Sequence, residues 1–183
     1  MTGKGPKRFL DPAMLAQALA QVAELAKSEG VRIALLGGFA LQHYGSDRLT
    51  GDIDVAAEER VQGLPRGTPL SFGGEQTEAP NGVPVDVVVR DDDYAPLYEE
   101  ALERAPRVRG VPVPVVRPEY LAAMKMVAGR ARDTADLEFL LTSGTADPAK
   151  TRKIIKKHLG PYAAQEFDRI VDETAWKASR GRL

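Results

Sequence analysis

The stretch LLGGFALQHYGSDRLTGDIDV, residues 35–55, decides the fold. It opens on the end of VRIALL (31–36), a mostly apolar run bounded by glycine on both sides, which is the pattern of a buried strand. Gly37-Gly38 follows at once. A residue without Cβ lets the backbone come close to another group, and N–H groups at a helix start point toward an anion. A Gly-Gly pair serves equally well as an ordinary turn. FALQHYG (39–45) has the pattern of about two helical turns. After Gly51 comes DIDVAAE (52–58), a second strand, on which side chains at i and i+2 share a face. Asp52 and Asp54 then point the same way, with Ile53 and Val55 turned to the core.

Two carboxylates that close repel each other unless a cation stands between them. A hard dication with oxygen ligands resolves the conflict. Mg²⁺, or Mn²⁺ in its place, suits the pair when substrate phosphates complete the shell. A third acid, Asp86, sits in the middle of VPVDVVV (83–89). A charge inside so apolar a strand is costly unless it is paired or ligates a metal. The alternative is an Asp facing solvent from an edge strand.

Outward from these segments the chain reads as follows. Asp11-Pro12 is a helix start, and Met14, Leu15, Ala18, Val22, Leu25 and Ala26 form one apolar stripe behind it. Glu29-Gly30 ends that helix. Residues 62–82 are rich in Gly and Pro, with TPLSF (68–72) as a short strand between loops. Pro84 stands near the beginning of its strand. Residues 93–105 are helical, capped from Asp91, Asp92 or Asp93; capping and solvation explain that acidic triplet better than a metal does. The prolines of VRGVPVPVVRP (108–118) keep it extended. EYLAAMKMVAG (119–129) and RDTADLEFLLTS (132–143) are helices, Asp147-Pro148 opens a third, Gly160-Pro161 breaks it, and a last one runs through Trp176. The expectation is a mixed α/β (α+β) sheet flanked by helices, with a catalytic core over 1–117 and a small helical C-terminal part over 118–183.

Composition removes several classes of function. There is no cysteine, hence no disulfide framework, thiolate metal site or Cys nucleophile. The two histidines, His43 and His158, lie far apart, so a His-rich zinc site is not expected and His43 reads as structural. No apolar run approaches the roughly 18 residues that span a bilayer. The opening MTGKGPKRFLDP lacks the apolar segment of a secretory signal, which makes the cytoplasm the expected location. Net charge is -1, but residues 148–183 hold nine Lys or Arg against four Asp or Glu, and the preceding residues are acidic. A basic end suits phosphates; a solvated helical face accounts for KTRKIIKKH (150–158) equally.

Gly-Gly, a spacer of about a dozen residues, Asp-x-Asp and a lone Asp in a later strand together resemble the signature of the polymerase-beta-type nucleotidyltransferase superfamily. The closer resemblance is to its AbiEii-type branch, which includes toxins of toxin–antitoxin and abortive-infection systems. Ser46, Arg48, Thr50, Asp52 and Asp54 match that branch's Ser-x-Arg-x-Ser/Thr-x-Asp-hydrophobic-Asp run. Lys125, with Arg132, Asp133, Asp136 and Leu137, matches its Lys and its Arg-Asp-x-x-Asp-Leu helix. The resemblance covers about residues 31–142.

The resemblance implies a nucleotidyltransferase fold and two-metal transfer of a nucleoside monophosphate from an NTP, ATP among the candidates, to an acceptor hydroxyl. In that reading Asp52 and Asp54 hold both ions, and Asp86 completes the one that activates the acceptor. Gly37 and Gly38 let the triphosphate lie against the backbone. Lys125 neutralises the triphosphate, unless its stem merely snorkels from a helix face. Arg48 pairs with the acids or touches a phosphate, Thr50 belongs to the nucleotide side, and Asp136 orients Lys125 or Arg48. The acceptor is a tRNA end, a protein side chain or a small molecule such as an antibiotic, and a cognate antitoxin is an expected partner of a toxin. Five Tyr, five Phe and one Trp are too few for an extensive base-stacking platform. Other readings are a non-catalytic nucleotide-binding module of a toxin–antitoxin pair, an aspartyl phosphatase and a glycosyltransferase. A phosphatase would carry its acid pair at the end of the first strand, where this chain has Gly-Gly.

Overall fold

In the computed structural model, which describes residues 9–180, Asp11 opens the first helix. Its carboxylate accepts the Ala13 N–H at 2.8 Å, Pro12 takes the first helical position, and α1 runs Pro12–Glu29. Gly30, at φ 76°, closes it. The buried stripe is Leu15, Ala18, Leu19, Val22, Ala23 and Ala26. Met14, expected in that stripe, is exposed, and Leu25 is half-buried.

The first compact unit ends at Val116. After α1 it holds β1 (Ile33–Leu36), α2 (Gly37–His43), β2 (Ile53–Ala57), β3 (Thr68–Pro69), β4 (Glu75–Glu78), β5 (Pro84–Val88) and α3 (Ala95–Glu103). The sheet order is β1-β2-β5-β4-β3, with β2 and β5 parallel and the other neighbours antiparallel. Every residue of β1 is buried, as the apolar run predicts. The helices α1, α2 and α3 each pack against β2. The extended segment with its prolines covers the free edge of β1: Leu35 N–H donates to Pro114 O at 2.8 Å and Val116 N–H to Leu35 O at 2.9 Å.

Two differences from the expected strands matter. TPLSF contributes only Thr68–Pro69, an edge strand where proline costs no ladder bond. The polar run Glu75–Glu78 is a full strand, β4, that hydrophobic patterning does not announce. It makes β5 an interior strand, so Asp86 does not face solvent from an edge.

The second unit begins at Arg117 and consists of α4 (Pro118–Ala128), α5 (Ala131–Thr142), α6 (Pro148–Leu159) and α7 (Pro161–Arg180). Helix α4 packs on α5 and α6, and α7 packs on α5 and α6. Asp147 caps α6 by accepting from Ala149 and Lys150 N–H groups. Buried Leu137, Leu140, Ile155, Ala164 and Phe167 fill the space between these helices, and α4 buries six consecutive residues from Tyr120 to Lys125. Among the described residues no helix is long and apolar enough to cross a membrane.

Candidate active site

The geometry around Gly37 starts from its backbone. Its φ of 69° lies in the left-handed region that glycine enters without steric cost. A Cβ there would also stand 1.9 Å from Asp54 Oδ2. Glycine is thus required twice, for the turn from β1 into α2 and for room beside a carboxylate. Gly38 is tight against the other half of the motif: a Cβ on it would meet Thr50 Oγ1 at 2.9 Å and Arg48 Nη1 at 3.3 Å.

The loop between α2 and β2 is held by its own polar groups. Gln42 Nε2 donates to Arg48 O at 2.8 Å, and Arg48 N–H donates to Ser46 Oγ at 3.2 Å. Thr50 is buried, and its hydroxyl donates to Asp52 Oδ1 at 2.8 Å. Asp52 lies one residue ahead of β2, where Thr50 fixes its carboxylate.

Asp54 is within β2, with buried Ile53 and Val55 on either side in sequence. Its lateral neighbours follow from strand register. Leu36 of β1 is opposite Asp54, Asp54 is opposite Asp86, and Asp86 is opposite Gln76 of β4. Residues paired in this way share one face of the sheet. Adjacent strands run about 4.8 Å apart, so the two carboxylates stand within reach of one small cation. Gln76 Nε2 donates to Asp86 Oδ1 at 2.6 Å.

The structure therefore gathers Gly37, Gly38, Arg48, Thr50, Asp52, Asp54 and Asp86 in the first unit. A neighbour of Asp86 that sequence reading missed is Gln76. Its strand lacks an apolar alternation, but Asn81-Gly82 is a strong hairpin signal between β4 and β5. The turn is real: Gly82 has φ 79°, and its N–H donates to Ala79 O at 2.8 Å.

Lys125 and Asp136 lie in the second unit, in a cluster of their own. The buried Lys125 ammonium donates to Asp133 Oδ1 at 3.0 Å and to Asp136 Oδ2 at 2.6 Å. That excludes a lysine that merely snorkels to solvent. Asp136 engages Lys125, one of the two partners expected for it. Asp133 also accepts the Arg130 N–H at 3.1 Å, one half of a capping box at the start of α5, and the Arg130 guanidinium at 2.6 Å. Burial alone would raise the Asp133 carboxyl, but hydrogen bonds from Arg130 and Lys125 outweigh it and hold the group at about 2. His43 is exposed at the end of α2, edge-on to Tyr44. None of the acidic triplet caps α3: its N-cap is Tyr94, which has no side-chain cap bond, and Asp92 instead accepts the Tyr94 N–H and pairs with Arg90 in the turn ahead of the helix.

No protein-family model matches the chain, and no curated protein sequence matches it significantly. Solved structures do. The antibiotic-resistance factor ANT(2'')-Ia, known from a solution structure, superposes with a TM-score of 0.57 at 15% identity, over 87% of this chain and 98% of that one. An antigenic nucleotidyltransferase-like protein from Paracoccidioides brasiliensis, known from a crystal structure, gives a TM-score of 0.50 at 16% identity, over 87% of this chain and 95% of that one. With its five-stranded mixed sheet and the Gly-Gly turn beside Asp54, this chain has the nucleotidyltransferase fold.

Proposed function

We propose that the protein transfers a nucleoside monophosphate from an NTP to an acceptor hydroxyl, releasing pyrophosphate. The observation that carries this reading is the opposition of Asp54 and Asp86 across β2 and β5, with the bare backbone of Gly37 against the Asp54 carboxylate. Asp52, Asp54 and Asp86 are the proposed ligands of Mg²⁺, for which Mn²⁺ would substitute. Among the described residues no three His, Asp or Glu side chains form a ready-made metal cage. The pair that the strand register supports is Asp54 with Asp86, and Mg²⁺ is commonly held by one or two carboxylates with water and substrate phosphates completing its shell. Hard oxygen donors on one face are the right chemistry for it. When bound, divalent ions supply Lewis-acid stabilisation of the attacking and leaving oxygens.

The chain's own residues have separate tasks in this proposal. Thr50 holds the Asp52 carboxylate in place, and Gly37 and Gly38 make room for the Asp54 carboxylate and for Thr50 and Arg48, with their backbone as the proposed seat of the triphosphate. Arg48, beside Gly38, is the proposed phosphate contact in the first unit. Asp86 is the proposed acceptor of the proton lost by the attacking hydroxyl. Lys125 is proposed as a triphosphate cation whose ammonium Asp136 orients. The motif run from Ser46 to Asp54, with Lys125 and Asp136, supports an AbiEii-like toxin whose acceptor is RNA, tRNA above all, or a protein, with an antitoxin as partner.

The test is label transfer. The protein is incubated with each labelled NTP, Mg²⁺ and total RNA, lysate protein or an antibiotic panel, beside Asp52→Ala and Asp54→Ala. Transfer by the wild type that both substitutions abolish is the expected result, and the labelled fraction names the acceptor. Transfer that survives both substitutions assigns the chemistry elsewhere. NTP binding without transfer to any acceptor points to a non-catalytic module instead.

A further inference from the structure

Asp86 has a partner that no motif includes. Strand β4 places Gln76 directly opposite Asp86, which in turn is opposite Asp54, so Gln76, Asp86 and Asp54 form one row on one face of the sheet. Thr68 of β3 continues that row beyond Gln76. A carboxylate only accepts hydrogen bonds, so the amide must turn its NH₂ to Asp86 and its carbonyl away. The terminal torsion of Asp is broad and roughly two-fold. A bond of 2.6 Å to Oδ1 removes that freedom and fixes the plane of the carboxylate.

Core packing does not explain Gln76. Its side is half-buried, and the buried residue of β4 is Thr77 on the opposite face. Strand propensity does not explain it either, since β-branched or aromatic residues are preferred at such a position. A Glu at 76 would add a charge beside two carboxylates already opposed. An uncharged donor of this length meets the chemical need of that place in the row.

We infer that Gln76 is a positioning residue for the proposed metal centre: it holds the Asp86 carboxylate in the orientation in which, with Asp54, it binds a divalent cation. This rests on the nucleotidyl-transfer reading above. Partners that orient metal-binding carboxylates typically cost about 10–100-fold in metal affinity or activity when removed.

The experiment measures Mn²⁺ binding by paramagnetic resonance in the presence of a nonhydrolysable ATP analogue, on the full chain. Gln76→Met, which keeps the length and removes the donor, is expected to weaken Mn²⁺ about 10–100-fold. Its thermal midpoint should match that of the wild type. In transfer assays kcat should fall by a similar factor while the KM for NTP moves less than about threefold. Gln76→Asn, which keeps the donor on a shorter arm, should recover part of the loss. In an Asp86→Asn background, Gln76→Met should add less than about a twofold change, because the group it positions is gone. Equal Mn²⁺ affinity in Gln76→Met and wild type overturns the inference alone. So does an undiminished further loss in the Asp86→Asn background. A wild type that binds no Mn²⁺ with the analogue overturns both the inference and the reading beneath it.

Discussion

Asp54 and Asp86 are register partners across a parallel strand pair, the one place in the described sheet where two acids of interior strands stand side by side. Like charges directly opposite destabilise a sheet by up to about 1 kcal/mol. Both flanks of Asp54 are buried apolar residues, and so are Val85 and Val87 around Asp86. A cation bound between the two carboxylates would remove that penalty, and a site of this kind trades stability for binding.

Replacing one member should make that trade visible. Asp54→Asn keeps the shape and removes the repulsion. Its melting midpoint in EDTA is expected to rise by about 1–4 °C, from the size of the like-charge penalty and the length of the chain. Adding Mg²⁺ with a nonhydrolysable ATP analogue should then stabilise the wild type and leave the variant unchanged, since only a bound ligand shifts the midpoint. Differential scanning calorimetry checks both. A fall of the midpoint in EDTA, or equal stabilisation of both proteins by the ligand, contradicts the account.

Gly37→Ala tests the backbone half of the site. The left-handed conformation costs an L-residue about 1–2 kcal/mol. The new Cβ must also push Asp54 aside, because three atoms of that side chain lie within 2.8 Å of it. A displacement of about 1 Å at a reacting centre costs about 10²-fold. Gly37→Ala should therefore fold, lose about 1–3 kcal/mol in urea unfolding, and lose transfer activity by at least that factor. Gly38→Ala meets the Thr50 hydroxyl at 2.9 Å and should disturb Asp52 through Thr50, with a smaller loss of stability.

Particular residues show how far the sequence alone reaches. Asp86 was legible because one charge interrupts an apolar strand, and Gly37-Gly38 with Asp52 and Asp54 because spacing and alternation are local properties. Gln76 was not, because Glu75, Gln76, Thr77 and Glu78 carry no apolar period; their strand is held by pairing to β5 and by the Asn81-Gly82 turn. The Lys125 cluster was half legible. Asp133 and Asp136 fall on one helical face by their spacing, but burial of the ammonium depends on how α4 packs on α5 and α6, which no local pattern encodes.

Lys125 is the residue on which the second unit should be most sensitive. Lys125→Met leaves Asp133 and Asp136 buried with less compensation, and breaking a buried pair in this way costs about 3–5 kcal/mol. The pH dependence has a definite sign. Asp133 is depressed from 3.8 to about 2, so its contribution is complete above pH 3.8 and is lost as the pH falls toward 2. The wild type should accordingly hold its helical circular dichroism down to the lower part of that window. The variant should be less stable at neutral pH, its deficit should shrink as the pH falls and its buried carboxylates take up protons, and Asp133→Asn in the Lys125→Met background should restore part of the stability at neutral pH. Identical acid transitions in wild type and Lys125→Met would contradict the assigned network.

Arg90 makes the last prediction, about what holds the far end of β5. Its side chain is only 7% exposed, yet its guanidinium grips Asp92 through Nε at 2.9 Å and Nη2 at 2.6 Å. The same group lies 4.9 Å from the Phe72 ring, 5.3 Å from Tyr94 and 4.9 Å from Tyr98. Three chain segments meet there: the turn between β3 and β4, the loop after β5, and α3. A desolvated cation–π contact is worth about 2 kcal/mol, and the planar fork is something lysine does not reproduce. Arg90→Lys is therefore expected to cost about 1–3 kcal/mol in urea unfolding, close to the cost of Arg90→Met, although charge is retained. Because β5 carries Asp86 four residues earlier, loosening this end should also lower transfer activity and weaken Mn²⁺ binding in step. A Lys substitution that preserves full stability would mean that charge alone, and not the fork among the rings, holds the end of the strand.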